Sequence, residues 1–190
     1  MKNILSLFII ATLIIGFSNV SYSQKNKEEE IVAPKMPINT DTKLVTYKEV
    51  VSATGTAKEI KEKALKWFHS YYKNSANLLK ENTETKFRGH PRFKVVNKKD
   101  KKSIQTMAGT IIYDITISFK DGKYRYLITN IFKKASTKYP IEKWMDKESK
   151  MYNADVYPYY LLQVDDYMKK VIKSLNDYMA KNNEKKSDDW

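Results

Sequence analysis

The chain has no cysteine, only two histidines, three arginines, five glycines and five prolines among its 190 residues. Without thiols there is no disulfide, no thiolate zinc site and no cysteine nucleophile, so stability must come from packing. The same absence removes the acceptor for lipid attachment, and a lipoprotein is not expected. The histidines are His69 and His90. His69 falls beside the apolar stripe of a helix, where an imidazole packs or caps more often than it catalyses. No Gly-x-Ser-x-Gly elbow, phosphate-cradling glycine loop or His-Glu-x-x-His helix occurs. Glu28, Glu29 and Glu30 form a carboxylate run in a linker, and Asp165 and Asp166 are helix neighbours that diverge. No catalytic, cofactor or metal site emerges, and an enzyme is not expected.

Long apolar runs are equally scarce. The longest, 4–17, follows Lys2 and precedes Ser21 and Ser23. It is shorter than the about 20 residues a membrane-spanning helix needs. Residues 1–23 are therefore expected to be a secretory signal peptide cut before Gln24, the alternative being a short membrane anchor. The protein is expected to be exported, periplasmic or extracellular, with no transmembrane segment in its mature form.

Basic residues are abundant: the net charge is +13, and lysine supplies all but three of the 35 basic side chains. That excess favours anionic partners. The shortage of arginine, whose planar fork suits phosphate and base recognition, weakens the inference. Coding bias toward lysine is the plainer alternative.

Residues 24–42 are charged, contain prolines and lack periodicity, as a linker does. A domain is expected over 43–181, followed by a disordered tail at 182–190. LVTYKEVV at 44–51 alternates like a strand. Thr56 and Glu59 have capping-box spacing ahead of a helix over 57–73, whose apolar face is Ile60, Ala64, Trp67, Phe68 and Tyr71. Residues 74–86 have the polarity of a loop, and 92–96 alternate as a short strand. A long strand over 104–119 then meets its partner at Asp121-Gly122. A two-residue loop there pairs Phe119 with Tyr124, Ile117 with Tyr126 and Ile115 with Ile128, all on one face. This turn chemistry calls for positive φ at both loop residues. A last helix, 158–181, buries Leu161, Val164, Met168, Val171, Ile172, Leu175 and Tyr178.

The segments MPINTDTKLVTYKEVV, GTAKEIKEKALKWF, GTIIYDITISFKDGKYRYLITNI and PIEKWM resemble a family of exported Gram-negative proteins. It is the domain of unknown function with a fold like that of the TATA-box-binding protein. The resemblance covers roughly 36–181. It implies an α+β domain with the order β-α-β-β-β-α. A curved antiparallel sheet of about four to five strands would carry both helices on its convex face. The family's motifs are structural and imply no active-site residue. The region between first helix and long hairpin departs from the family in being unusually basic.

Two surfaces compete for function. The open face of the long hairpin, with Ile112, Asp114, Arg125, Leu127 and Ile131, is weakly charged and suits contact with another envelope protein or a second copy. The alternative there is a face covered by the chain's own 134–157 segment, with Tyr152, Tyr157, Tyr159 and Tyr160 at its rim or in the core. The second surface is the segment 86–102, expected to be a charged hairpin, with Arg88, Arg92, Lys94, Lys98, Lys99, Lys101 and Lys102. It suits an anionic lipid head group, lipopolysaccharide or an acidic partner. A solvated tip that blunts a strand edge is its plainer alternative. Nucleic acid is disfavoured, because the hairpin's open face carries one arginine offset by Asp114. The expectation is a non-enzymatic exported binding or assembly module, with anion binding through 86–102 as the alternative.

Overall fold

A computed structural model describes residues 31–99 and 104–181. The signal peptide expected at 1–23, Lys101, Lys102 and the tail expected at 182–190 lie outside the described residues. Among the described residues, no helix is long and apolar enough to cross a membrane.

The centre of the fold is the pair β5 (Met107–Lys120) and β6 (Lys123–Lys134). On β5, Ile111, Tyr113, Ile115, Ile117 and Phe119 are buried, while Thr110, Ile112, Asp114, Thr116 and Ser118 are half-exposed. Successive side chains of a strand point to opposite faces, so one 14-residue strand supplies both a core wall and an outer floor. The register pairs Phe119 with Tyr124, Ile117 with Tyr126 and Ile115 with Ile128, as the turn position predicts. The turn itself differs from expectation, since only Gly122 takes positive φ (73°). Asp121 instead directs its carboxylate at the N-terminus of the first helix and accepts a bond from the Ala57 amide at 2.7 Å. A carboxylate is favoured there by the helix dipole.

β1 (Tyr47–Ser52) adds to the far edge of β6, and β3 (Lys86–Gly89) and β4 (Arg92–Val96) both pair with β5. β2 (Leu79–Asn82) flanks β3, and β7 (Lys138–Pro140) closes on the end of β6. The sheet is antiparallel and has seven strands, more than the four to five expected. The additional strands are short and come from stretches whose polarity resembles loops. Residues 74–86, expected to be loop, fold as the short helix α2 (Ser75–Leu78) followed by β2.

α1 (Ala57–Tyr71) begins in the capping box foreseen from Thr56 and Glu59. Its Ile60, Ala64, Trp67 and Phe68 pack on the sheet beside α3 (Tyr157–Ala180), which buries Leu161, Val164, Met168, Val171 and Leu175. The Trp67 indole N–H donates to Ser174 Oγ at 3.1 Å, tying the two helices together. Tyr47 donates to the buried Asp165 at 2.8 Å, and Lys169 closes the other carboxylate oxygen at 2.6 Å, so this buried charge is fully partnered. The packed chain starts upstream of 43: Met36 is 5% exposed within the core, and the Thr46 amide donates to Pro37 O at 2.8 Å.

Within segment 134–157, Lys138–Pro140 is the sheet strand β7, and the stretch from Ile141 packs on the helix side of the sheet. Ile141 and Trp144, in the 3-10 turn Ile141–Trp144, belong to the core, and Trp144 lies against Tyr157 and Tyr160. Tyr152 meets Tyr157 edge-on in the same cluster. These tyrosines complete the core side rather than rim the open face.

Gly89 is buried where a Cβ would meet the Phe68 ring at 2.5 Å. Phe68 has no room to retreat, because Tyr72 and Phe87 crowd it at ring-centroid distances of 4.9 and 5.4 Å. Gly89→Ala should therefore destabilise the fold by about 1–3 kcal/mol, read from the urea midpoint. Burial also raises the phenol pKa of Tyr47, Tyr72 and Tyr113, desolvation being the largest cause in each. Raised folded values keep this stability intact below the unfolded tyrosine pKa of about 10 and remove it as pH climbs through the folded values. Urea midpoints taken across alkaline pH should stay level up to about 10 and fall steadily above it.

Candidate binding face

The core-facing side chains of β3 and β4 are Phe87, Gly89, Phe93 and Val95. The register runs through the gap between the strands without slipping, with Gly89 opposite Ile115 and Arg92 opposite Ile112. His90 thereby lies opposite Asp114, and the two bond at 2.7 Å. Lys86, Arg88, His90, Arg92 and Lys94 consequently occupy successive outward positions of one continuous line. That line spans roughly 27 Å at strand rise.

Beyond Val96 the stretch 86–102 enters the connection of an antiparallel hairpin between β4 and β5, as expected, but the basic residues before it lie in the sheet. Its first eleven residues build two strands of the sheet, and only the part beyond Val96 is a connection. Arg88, Arg92 and Lys94 lie on the open sheet face. Lys98 and Lys99 follow the strand in the connection to β5. The two surfaces expected to compete are therefore largely one surface. The charge balance read from β5 and β6 alone, one arginine against Asp114, omits the cations that β3 and β4 bring alongside.

The cross-strand rows define a trough. Lys86 faces Ser118, Ser118 faces Arg125, and Arg125 faces Val50. Arg88 faces Thr116, Thr116 faces Leu127, and Leu127 faces Lys48. Lys94 stands opposite Thr110. Short hydroxyl side chains of β5 form the floor, with long side chains of β3, β4 and β6 as walls two strand spacings apart, about 10 Å. Glu81 tempers one wall, contacting Lys86 at 2.9 Å and Arg88 at 3.9 Å.

Asp114 sits in the middle of the floor, held by His90 on one carboxylate oxygen and by Asn130 Nδ2 at 3.1 Å on the other. Asn130 has φ 53° and marks a β-bulge, where β6 fits one extra residue between Thr129 and Phe132 against β5. The bulge reverses the inward–outward alternation. Ile131, expected on the open face, is 1% exposed in the core, and Phe132 turns outward beneath His90 and Lys138. Ile112, Asp114, Arg125 and Leu127 keep the open-face positions expected of them.

Sequence reasoning counted Lys86 in the basic cluster without placing it on this face, and missed His90 and Lys48. The signal was present in KFRGHPRFK, where every second residue is basic, a period-two pattern interrupted only by a Gly-His-Pro that resembles a turn. His69 has a local role, its Nδ1 lying 2.8 Å from Ser75 Oγ where α1 gives way to α2. Among the described residues, no group of three or more acidic or histidine side chains is placed to hold a metal ion.

An open antiparallel sheet with its helices gathered on one face defines an α+β domain of the TATA-box-binding-protein-like class. Residues 47–133, from the start of β1 almost to the end of β6, match the model of the domain of unknown function (DUF4468) with TBP-like fold. The resemblance carried by the sequence is to this family. A crystal structure of a DUF4468 family protein from Bacteroides ovatus superposes with a TM-score of 0.61 at 15% identity, covering 80% of this chain and 94% of that one. A TBP-like protein from Parabacteroides distasonis gives a TM-score of 0.48 at 16% identity, covering 70% and 94%. No curated protein matches the chain.

Asn130 combines a left-handed backbone with the bond that steadies Asp114. Asn130→Ala should cost about 1–2 kcal/mol, from left-handed strain and the lost bond. Asn130→Gly should cost less, since glycine tolerates the backbone. Urea unfolding of the two variants measures the difference.

Proposed function

We propose that this protein is a non-enzymatic, exported module of the bacterial cell envelope that binds an anionic glycan along the open face of its sheet. The glycan is a sugar chain bearing phosphate groups, the chemistry of lipopolysaccharide. The observation that carries the reading is the outward line Lys86, Arg88, His90, Arg92 and Lys94 beside a hydroxyl-lined floor. The lysines and arginines of this line meet charges distributed along an extended chain. Thr110, Thr116 and Ser118 offer hydrogen bonds to sugar hydroxyls between those charges. A trough about 10 Å wide admits one extended chain. The leader-like segment at 1–23 supports export to the compartment where such polymers occur. Contact with a protein through Ile112 and Leu127 is the weaker reading, because both lie among cations that a protein core contact would have to desolvate.

The test is binding of the full chain to purified lipopolysaccharide at two salt concentrations. Wild-type affinity should fall as salt rises, and the combined change Arg88→Gln, Arg92→Gln and Lys94→Gln should weaken it by about tenfold or more. Glutamine at Lys98, Lys99, Lys101 and Lys102 should change it by less than about threefold. Wild-type affinity in the strand variant, or loss confined to the connection variant, would sink the trough as the binding surface.

A further inference from the structure

The hairpin end of the open face holds a cleft of about 550 Å³. Lys86, Lys120, Lys123 and Arg125 line it together with Ser118 and Thr85, and no acidic side chain does. The sheet register explains the convergence. Ser118 has Lys86 and Arg125 as direct cross-strand neighbours, Lys120 follows it by two residues on the same face, and Lys123 faces Lys120 across the turn. Only Lys86 among the four has a carboxylate partner in the described residues, Glu81 at 2.9 Å. Three uncompensated cations thus surround one hydroxyl at the point where the trough ends. A shallower groove on α3 also carries lysines, but there Lys173 is already neutralised by Asp177 at 2.6 Å.

We infer that this cleft is the seat of a phosphomonoester carried on a sugar, the terminal group of the glycan bound in the trough. This rests on the glycan-binding reading and adds to it a defined end subsite. A phosphomonoester brings close to two negative charges and three acceptor oxygens, which a single carboxylate does not. Lys120, Lys123 and Arg125 supply charge from separate directions, and the Arg125 fork suits two phosphoryl oxygens at once. The Ser118 hydroxyl donates from the floor. The volume exceeds that of a phosphate alone and leaves space for the attached sugar ring, which meets the exposed Val50 on the cleft wall.

The experiment titrates the full chain with glucose 6-phosphate, glucose, inorganic phosphate and phosphatidylglycerol vesicles, following amide shifts of residues 118–125. Glucose 6-phosphate should bind saturably with shifts at these residues, inorganic phosphate more weakly, and glucose not at all. Lys120→Gln, Lys123→Gln and Arg125→Gln together should weaken glucose 6-phosphate by about tenfold or more. Lys170→Gln with Lys173→Gln, on α3 away from the sheet face, should leave it unchanged. These exposed substitutions leave the core untouched, and an unchanged amide spectrum outside 118–125 verifies folding. Absence of saturable shifts with glucose 6-phosphate overturns the proposal, as does equal affinity in the cleft variant. Tighter binding to the vesicles than to glucose 6-phosphate overturns the sugar assignment in favour of a lipid head group. Lipopolysaccharide binding that survives the cleft changes but not the strand changes removes the end subsite and leaves the trough standing. Loss of both probes on wild-type protein removes the two together.

Discussion

The period-two geometry of β5 is the constraint on which the domain depends. Ile111, Ile115 and Ile117, with Tyr113 and Phe119, point to the helices, so Thr110, Ile112, Asp114, Thr116 and Ser118 must point away. Burial of the first set drives folding, at roughly 25 cal/mol for each Å² of apolar surface removed from water. The second set is then fixed without having to contribute stability of its own. A slip of one residue would exchange the two sets and place hydroxyls and a carboxylate in the core. The outer floor is therefore as strictly specified as the core wall, although no packing holds it.

The same logic reaches the flanking strands. Phe87 and Val95 are drawn inward by the aromatic cluster around Phe68, and Gly89 is small because the Phe68 ring passes over it. With those residues committed to the core, Lys86, Arg88, Arg92 and Lys94 have only the outer face to occupy. The charged line is thus a by-product of inward packing. A functional surface and a core are two sides of one pattern here, and a change to either is felt by the other.

The bulge at Asn130 breaks the alternation of β6. It moves Ile131 inward and Phe132 outward while placing the Asn130 amide on Asp114. Bulges commonly re-aim side chains near functional sites. In this sheet the bulge steadies the carboxylate at the centre of the trough, among cationic, hydroxyl and apolar side chains. His90 completes the bracket, so the negative charge of Asp114 is turned toward its own neighbours.

The period-two and 3.6-residue patterns, the Asp-Gly pair and the Thr-x-x-Glu spacing made the long hairpin, its register, α1 and α3 legible from the chain alone. Those elements are specified by contacts near in sequence, where local chemistry and apolar period agree. The strands β2, β3 and β7 were not legible. Each is only three or four residues long and polar on at least one side, and each exists because β5, β6 or a neighbouring strand offers it an unpaired edge. The inversion at Asn130 was hidden for a related reason, since nothing local distinguishes a bulge from a continuing strand. The sequence by itself determined which residues would be buried along the main hairpin as far as the bulge at Asn130, and most of those along the helices, because burial follows periodicity. Only the tertiary structure decided that the basic stretch at 86–96 would lie beside β5. That placement depends on which distant strand edge remains open, and no local pattern encodes it.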